Sequence, residues 1–152
     1  MTHADSPLQR GLYWCLRIFF GVFLLVAGIA KVLDIPGYIA VINTYQFGVP
    51  EWGLRRSAIG IIVIEIGLGA WILVGWKLAS AALFSAALHA GYLVVLASAL
   101  WRGLDITNCG CFGVFLARPL GWDTLAEDLV LIVLSYLLHR LARSRPMEEM
   151  AP

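Results

Sequence analysis

Two cysteines separated by a single glycine, Cys109-Gly110-Cys111, carry the most explicit chemistry in this chain. Thiolates are nucleophiles and soft ligands, and a second thiol close by allows a disulfide to open and close. Closing a bond across one residue requires a tight turn that brings the Cα atoms within about 6.8 Å. Gly110 supplies a position free to take a positive φ. A bond closed so tightly is strained and easily reduced, which suits exchange better than stapling. Arg102 and Arg118 flank the pair and would favour a thiolate if they lie near it. Three other uses stay open: two ligands of a soft metal, a structural pin, or inert small apolar residues. No His or third Cys lies close in sequence to complete a metal site, so none is expected. Cys15 belongs to the far end of the first apolar stretch, as filler or an acylation site.

Glu65 and His89 are the next candidates, because each falls in the middle of a long apolar run. Ionisable groups at such depth are costly and face a bundle interior. Glu65 lies eleven residues before Trp76 and His89 thirteen after it. At helical rise the offset is about 3 Å, so the two are expected to meet. One use is a proton relay or quinone-head pair serving thiol oxidation; the other is a packing hydrogen bond. Lys31, Glu127 and Asp128 fall toward one common end, where a salt bridge between the first and last apolar stretches is expected. Arg17 has the stem length to snorkel to the opposite interface. Trp101, Phe112, Phe115 and Trp122 fit an aromatic belt.

The elements that must position these groups follow from composition. Of 152 residues, 61% are hydrophobic and 14% charged, and mean hydropathy is +0.83. Soluble domains are about half apolar and about a quarter charged, so lipid must solvate much of this chain. Crossing hydrocarbon takes about 20 apolar residues, and four stretches qualify: residues 12–33, 57–76, 78–101 and 124–141. The expected fold is all-α: a single integral membrane domain, a four-helix bundle whose 102–123 loop carries the cysteines. The first stretch is too long for a cleavable signal and reads as a retained anchor. Between the first two spans, Asp34 and Pro36 form a helix start, Tyr38, Ile39, Ile42 and Tyr45 recur at helical spacing, and Gly48 and Pro50 end the run. A short interfacial helix is expected there. Gly75-Trp76-Lys77 is so short that spans two and three must be antiparallel neighbours. Ala79, Ser80, Ala82, Ser85, Ala86, Ala90 and Ala97 permit close approach in span three, which is expected to be the central helix.

A net charge of +1 without a basic stripe excludes nucleic acid as a partner. Arg10, Lys77, Arg140, Arg143 and Arg145 on one side nearly balance Lys31, Arg55, Arg56, Arg102 and Arg118 on the other. Cytoplasmic termini are preferred because the tail arginines flank their span closely and the cysteines then avoid a reducing compartment. The cysteine loop is therefore expected outside.

Several blocks in order resemble the MauE branch of the DoxX-like membrane proteins. They are Ala27-Gly28-Ile29-Ala30-Lys31-Val32-Leu33-Asp34 with Tyr45 and Pro50, then Glu65-Ile66-Gly67-Leu68 with Gly75, and Arg102-Gly103 with Cys109-Gly110-Cys111-Phe112-Gly113 and Gly121-Trp122. One departure is Glu127 before Asp128, where the family pattern is expected to place a basic residue. The resemblance implies a four-helix bundle in a bacterial inner membrane, serving maturation of a disulfide-rich periplasmic protein beside a thioredoxin-like partner. Its layout is similar to disulfide-generating membrane proteins and vitamin K epoxide reductases, which use a quinone. The expected function is thiol–disulfide exchange through Cys109 and Cys111, with Glu65 and His89 as proton carriers and a quinone as electron acceptor. The alternative is a non-catalytic accessory subunit or assembly factor of a larger membrane complex. A transporter is disfavoured, since four short spans enclose little room and no inverted repeat is present.

Overall fold

A computed structural model describes residues 6–144. They form five helices: α1 (Pro7–Leu33), α2 (Ile35–Asn43), α3 (Glu51–Val74), α4 (Leu78–Trp101) and α5 (Trp122–Arg143). No strand occurs among the described residues, and the all-α expectation holds. Arg145 of the expected basic tail lies outside the described residues.

Helix ends depart from the apolar stretches because polar residues cap them. Ser6 starts α1: its hydroxyl accepts from the Gln9 amide at 3.3 Å, and Gln9 Oε1 accepts from the Ser6 amide at 3.1 Å. Pro7 then occupies the first turn, where its missing N–H is no loss. Extended Pro50 precedes α3, whose first turn begins at Glu51 rather than Ser57 and places a negative charge on the positive end of the helix. A short helix forms where one is expected, with Asp34 Oδ1 accepting from the Gly37 amide at 2.8 Å.

Helices α1, α3 and α4 are long and apolar enough to cross a membrane. Helix α5 has 22 residues but carries Asp123, Glu127, Asp128, Arg140 and Arg143, and it is not among them. The surface is inverted relative to a soluble protein. Ile18, Val22, Val26, Ile29, Val63, Val94 and Val133 are exposed, whereas Lys31, Glu65, His89 and Asp128 are buried. Such a distribution places lipid outside and polar groups within the bundle.

The main helix pairings are α1 against α3 and α4 against α5. Gly21 and Gly69 allow the first: a Cβ on Gly69 would stand 2.9 Å from the Gly21 carbonyl oxygen and 3.0 Å from the Leu25 amide nitrogen. Backbones touch there, as small residues permit between helices in lipid. The second pairing uses Ala81, Ala82, Ser85 and Ala86, with Ser85 Oγ 3.1 Å from Ser135 Oγ. One expectation is thereby narrowed and another corrected. Helices α3 and α4 are joined by the tight turn at Gly75 (φ 82°) but pack sparsely on each other. Helices α1 and α3 each meet three other helices, whereas α4, expected to be central, meets only α3 and α5. Small residues set how closely a helix approaches a neighbour, not how many neighbours it has.

Candidate functional site

The segment between α4 and α5 folds back on itself. The Cys109 amide donates to the Arg118 carbonyl at 2.9 Å and the Leu120 amide to the Ile106 carbonyl at 2.8 Å. Asn108 shapes the turn: Oδ1 accepts from the Gly110 amide at 2.9 Å and Nδ2 donates to the Gly113 carbonyl at 3.0 Å. Gly110 takes φ +82°, the left-handed conformation expected of it. A Cβ there would also meet Val41 of α2 at 2.9 Å, so the turn packs against α2.

Both cysteine carbonyls are held from outside the loop. Tyr45 donates its hydroxyl to the Cys109 carbonyl at 2.8 Å. Lys31 Nζ donates to the Cys111 carbonyl at 2.6 Å. Lys31 also lies 2.9 Å from both oxygens of Glu65, and Tyr92 donates to Glu65 Oε1 at 2.7 Å. Lys31 and Glu65 are 1% and 2% exposed. Removing one member of such a pair leaves an uncompensated buried charge. The cluster therefore ties α1, α3 and α4 to the backbone of the turn.

Held this way, the two free thiols face each other with their sulfurs 3.2 Å apart. Cys109 is buried and Cys111 partly exposed. A hydrogen bond from the Cys111 thiol pulls the Cys109 thiol down to about 6, with burial opposing and the Arg118 charge assisting. The same hydrogen bond, followed by burial, pushes the Cys111 thiol well above its ordinary range. The reduced pair thus has one thiolate, on Cys109, stabilised by a proton kept on Cys111. Burial raises the Tyr45 phenol, which remains a donor toward the Cys109 carbonyl.

The turn stands between two apolar cavities, and both cysteines line each. The larger, about 420 Å3, lies among α1, α4, α5 and the loop; Phe19, Phe23 and Phe112 contribute to its walls. The smaller, about 240 Å3, lies beside α2 and includes Tyr38, Tyr45, Ile42, Leu54 and Ile61.

Glu65 and His89 both line the larger cavity with the cysteines, but they do not bond to one another. Glu65 turns to Lys31 and Tyr92, while His89 Nδ1 lies 2.8 Å from the Ser85 carbonyl of its own helix. A carbonyl only accepts, so Nδ1 carries the hydrogen and Nε2 of the neutral ring is an acceptor. The expected bridge from Lys31 to Glu127 or Asp128 is also absent. Lys31 binds Glu65 because α1 packs along α3, and Glu127 instead receives both Arg118 guanidinium nitrogens at 2.8 and 2.9 Å. Arg17 does reach the end away from the cysteines, where it donates to the Ile72 and Leu73 carbonyls at 3.1 and 2.6 Å. Trp101 and Trp122 project outward in keeping with a belt, while Phe112 packs edge-on against Phe23.

Tyr45, Tyr92 and Asp128 are site residues that sequence reasoning did not assign. For Tyr92 a signal existed: it follows His89 by three residues and shares its helix face. Among the described residues no cluster of three or more His, Cys, Asp or Glu side chains is placed to hold a metal.

The family described as Methylamine utilisation protein MauE matches residues 9–141. A methylamine utilization protein MauE from Paracoccus denitrificans is 28% identical over 132 residues, covering 87% of this chain and 70% of the relative. No solved structure matches. With its family match extending from the first turns of α1 to the last turn of α5, the chain belongs to the MauE family.

Proposed function

We propose that this chain is a thiol–disulfide exchange protein of a methylamine-utilising system, acting through Cys109 and Cys111 in the maturation of a periplasmic or extracellular protein. The observation that carries the reading is a thiol pair in contact, with both carbonyls held and one thiolate stabilised near neutral pH. A structural pin has no need of that charge.

The asymmetry supports one order of attack. In the oxidised protein a partner thiolate attacks Cys111, the less buried of the two residues. The partner–Cys111 bond forms as the Cys109–Cys111 bond breaks, and Cys109 leaves as the better-stabilised thiolate. The partner's second thiolate then attacks its own sulfur in the mixed disulfide. That closes the partner's disulfide and releases Cys111, which takes up a proton. A thioredoxin-like protein suits this exchange.

The cavity beside α2 would suit a quinone, with apolar walls, three phenols and both cysteines at its edge. There a quinone would supply a two-electron, two-proton acceptor for the reduced pair. Val41, Ile42, Leu54 and Ile61 would hold its ring, and Tyr38 lies at hand as a donor. His89 Nε2 is the group to carry protons onward across the larger cavity, while Glu65 serves chiefly to hold Lys31 against Cys111.

The topology belonging to this reading has α5 as a fourth span, its acids near one end and Arg140 and Arg143 near the other. The protein would sit in a bacterial inner membrane with cytoplasmic termini and the cysteine loop outside.

Thiol trapping in intact membranes tests the proposal, by maleimide gel shift on Cys109 and Cys111 before and after a mild dithiol and then added quinone. A pair that is reduced readily and reoxidises faster with quinone supports it. A pair that never changes state overturns it and leaves the accessory-subunit reading. The latter further requires Cys-to-Ser variants to keep full function and co-purify with a larger membrane complex.

A further inference from the structure

One titratable group in the larger cavity has no part in the exchange described above. Asp128, on α5, is 5% exposed, and its Oδ2 is the one buried side-chain nitrogen or oxygen among the described residues with no hydrogen-bond partner. It lines the cavity into which both cysteines face. The other two carboxylates there are already committed: Glu65 to Lys31 and Tyr92, Glu127 to Arg118. From α4 the cavity receives His89 and Tyr92, and from the loop Cys109, Cys111 and Arg118. Helix α1 contributes only Phe19, Phe23, Leu24 and Ala27. The Asp128 charge also acts on Tyr45, beyond α2, and on Cys111.

An isolated carboxylate in an apolar cavity is costly to keep, and it is retained where a proton must be taken. The reduced pair holds one proton that has to leave before its disulfide closes, on Cys111. Resting on the thiol–disulfide reading, we propose that Asp128 is the proton acceptor for Cys111 during closure of the Cys109–Cys111 disulfide. The step balances as follows. With Cys109 held in a mixed disulfide to an external disulfide reagent, the Cys111 S–H proton passes to Asp128 Oδ2. The Cys111 thiolate attacks Cys109 Sγ, the Cys109–Cys111 bond forms, and the mixed bond breaks with its electron pair on the departing sulfur.

The experiment uses full-length protein carrying Cys15→Ser and 2,2′-dithiodipyridine, which releases one coloured thiopyridone on attack by Cys109 and a second on closure by Cys111. In Asp128→Asn and Asp128→Ala the first release should keep its rate, while the second slows by roughly a hundredfold, the scale of a lost general base. Asp128→Glu should recover much of it. Heat resistance in detergent should be unchanged or raised, since an unpartnered buried charge has been removed. Unchanged closure, equal slowing of both releases, or failure of both neutral variants to accumulate folded would overturn the proposal by making the carboxylate idle or structural. If the pair cycles in membranes while closure ignores Asp128, this inference alone fails. If closure depends on Asp128 but the pair never cycles in membranes, the exchange reading fails instead.

Discussion

At the residue scale the site depends on two grips on the cysteine turn, one of them through a buried ion pair. Lys31→Met leaves Glu65 with Tyr92 as its remaining partner and releases the Cys111 carbonyl. Breaking a buried pair from one side costs about 3–5 kcal/mol, so heat resistance in detergent should fall sharply. Adding Glu65→Gln removes the stranded charge and should recover a large part of the loss, though not the hold on the turn. No recovery in the double variant would mean that Lys31 acts through Cys111 alone. A second consequence concerns charge at the thiols. Because the Cys109 thiol is drawn down to about 6, its thiolate predominates above that pH. Its alkylation rate should therefore climb through about pH 6 and level off by pH 8. Arg118→Gln takes away an assisting positive charge, so the midpoint must move upward; a midpoint that stays in place would remove Arg118 from the site. Much of this was legible in the residues themselves. The thiol pair, the Gly110 turn and the buried positions of Glu65 and His89 follow from type and spacing. The partners do not, because Glu65 was matched to His89 by depth along a hairpin, whereas depth says nothing of which faces meet.

Helix pairing decides those faces, and it rests on glycines at the element scale. At Gly69 a side chain would press on α1 backbone atoms at 2.9 and 3.0 Å, and backbone cannot swing aside. Gly69→Val should push α1 from α3 and destabilise the protein by about 1–3 kcal/mol, loosening Lys31 from the turn. Gly60, on the same helix, has open space where its Cβ would stand. Gly60→Ala should be neutral or stabilising by up to about 1 kcal/mol, from helix propensity alone. Equal effects at the two positions, measured by detergent heat resistance, would argue against a backbone contact. The helices themselves were readable from apolar length, and α2 from Asp34, Pro36 and its tyrosine spacing. Their ends were not, since Ser6 and Pro50 lie beyond the apolar runs. The short Gly75 turn makes α3 and α4 neighbours, but the closest packing is fixed by Gly21, Gly69 and the α4 alanines, which chain order does not reveal.

For the whole molecule, cations are nearly balanced between the two ends, so orientation is a matter for labelling. Lys31 sits in the interior against Glu65 rather than in a flanking loop. At the cysteine end the remaining cations are Arg55, Arg56, Arg102 and Arg118; at the other are Arg10, Arg17, Lys77, Arg140 and Arg143. Flanking positive charge is retained in the cytoplasm, and two labelling results test the proposed orientation, with cytoplasmic termini and an outward-facing thiol pair. In a Cys15→Ser, Cys109→Ser background, Cys111 should react with a membrane-impermeant maleimide in intact spheroplasts. In a fully Cys-free chain carrying Ser144→Cys, at the exposed end of α5, labelling should require permeabilisation. The two results together also establish that α5 crosses, since Cys111 precedes that helix and Ser144 follows it. Labelling of both from outside would mean that α5 lies along the interface, leaving three crossings. The reverse pattern would place the thiols in a reducing compartment, where the pair would rest reduced and exchange in the direction of disulfide breakage.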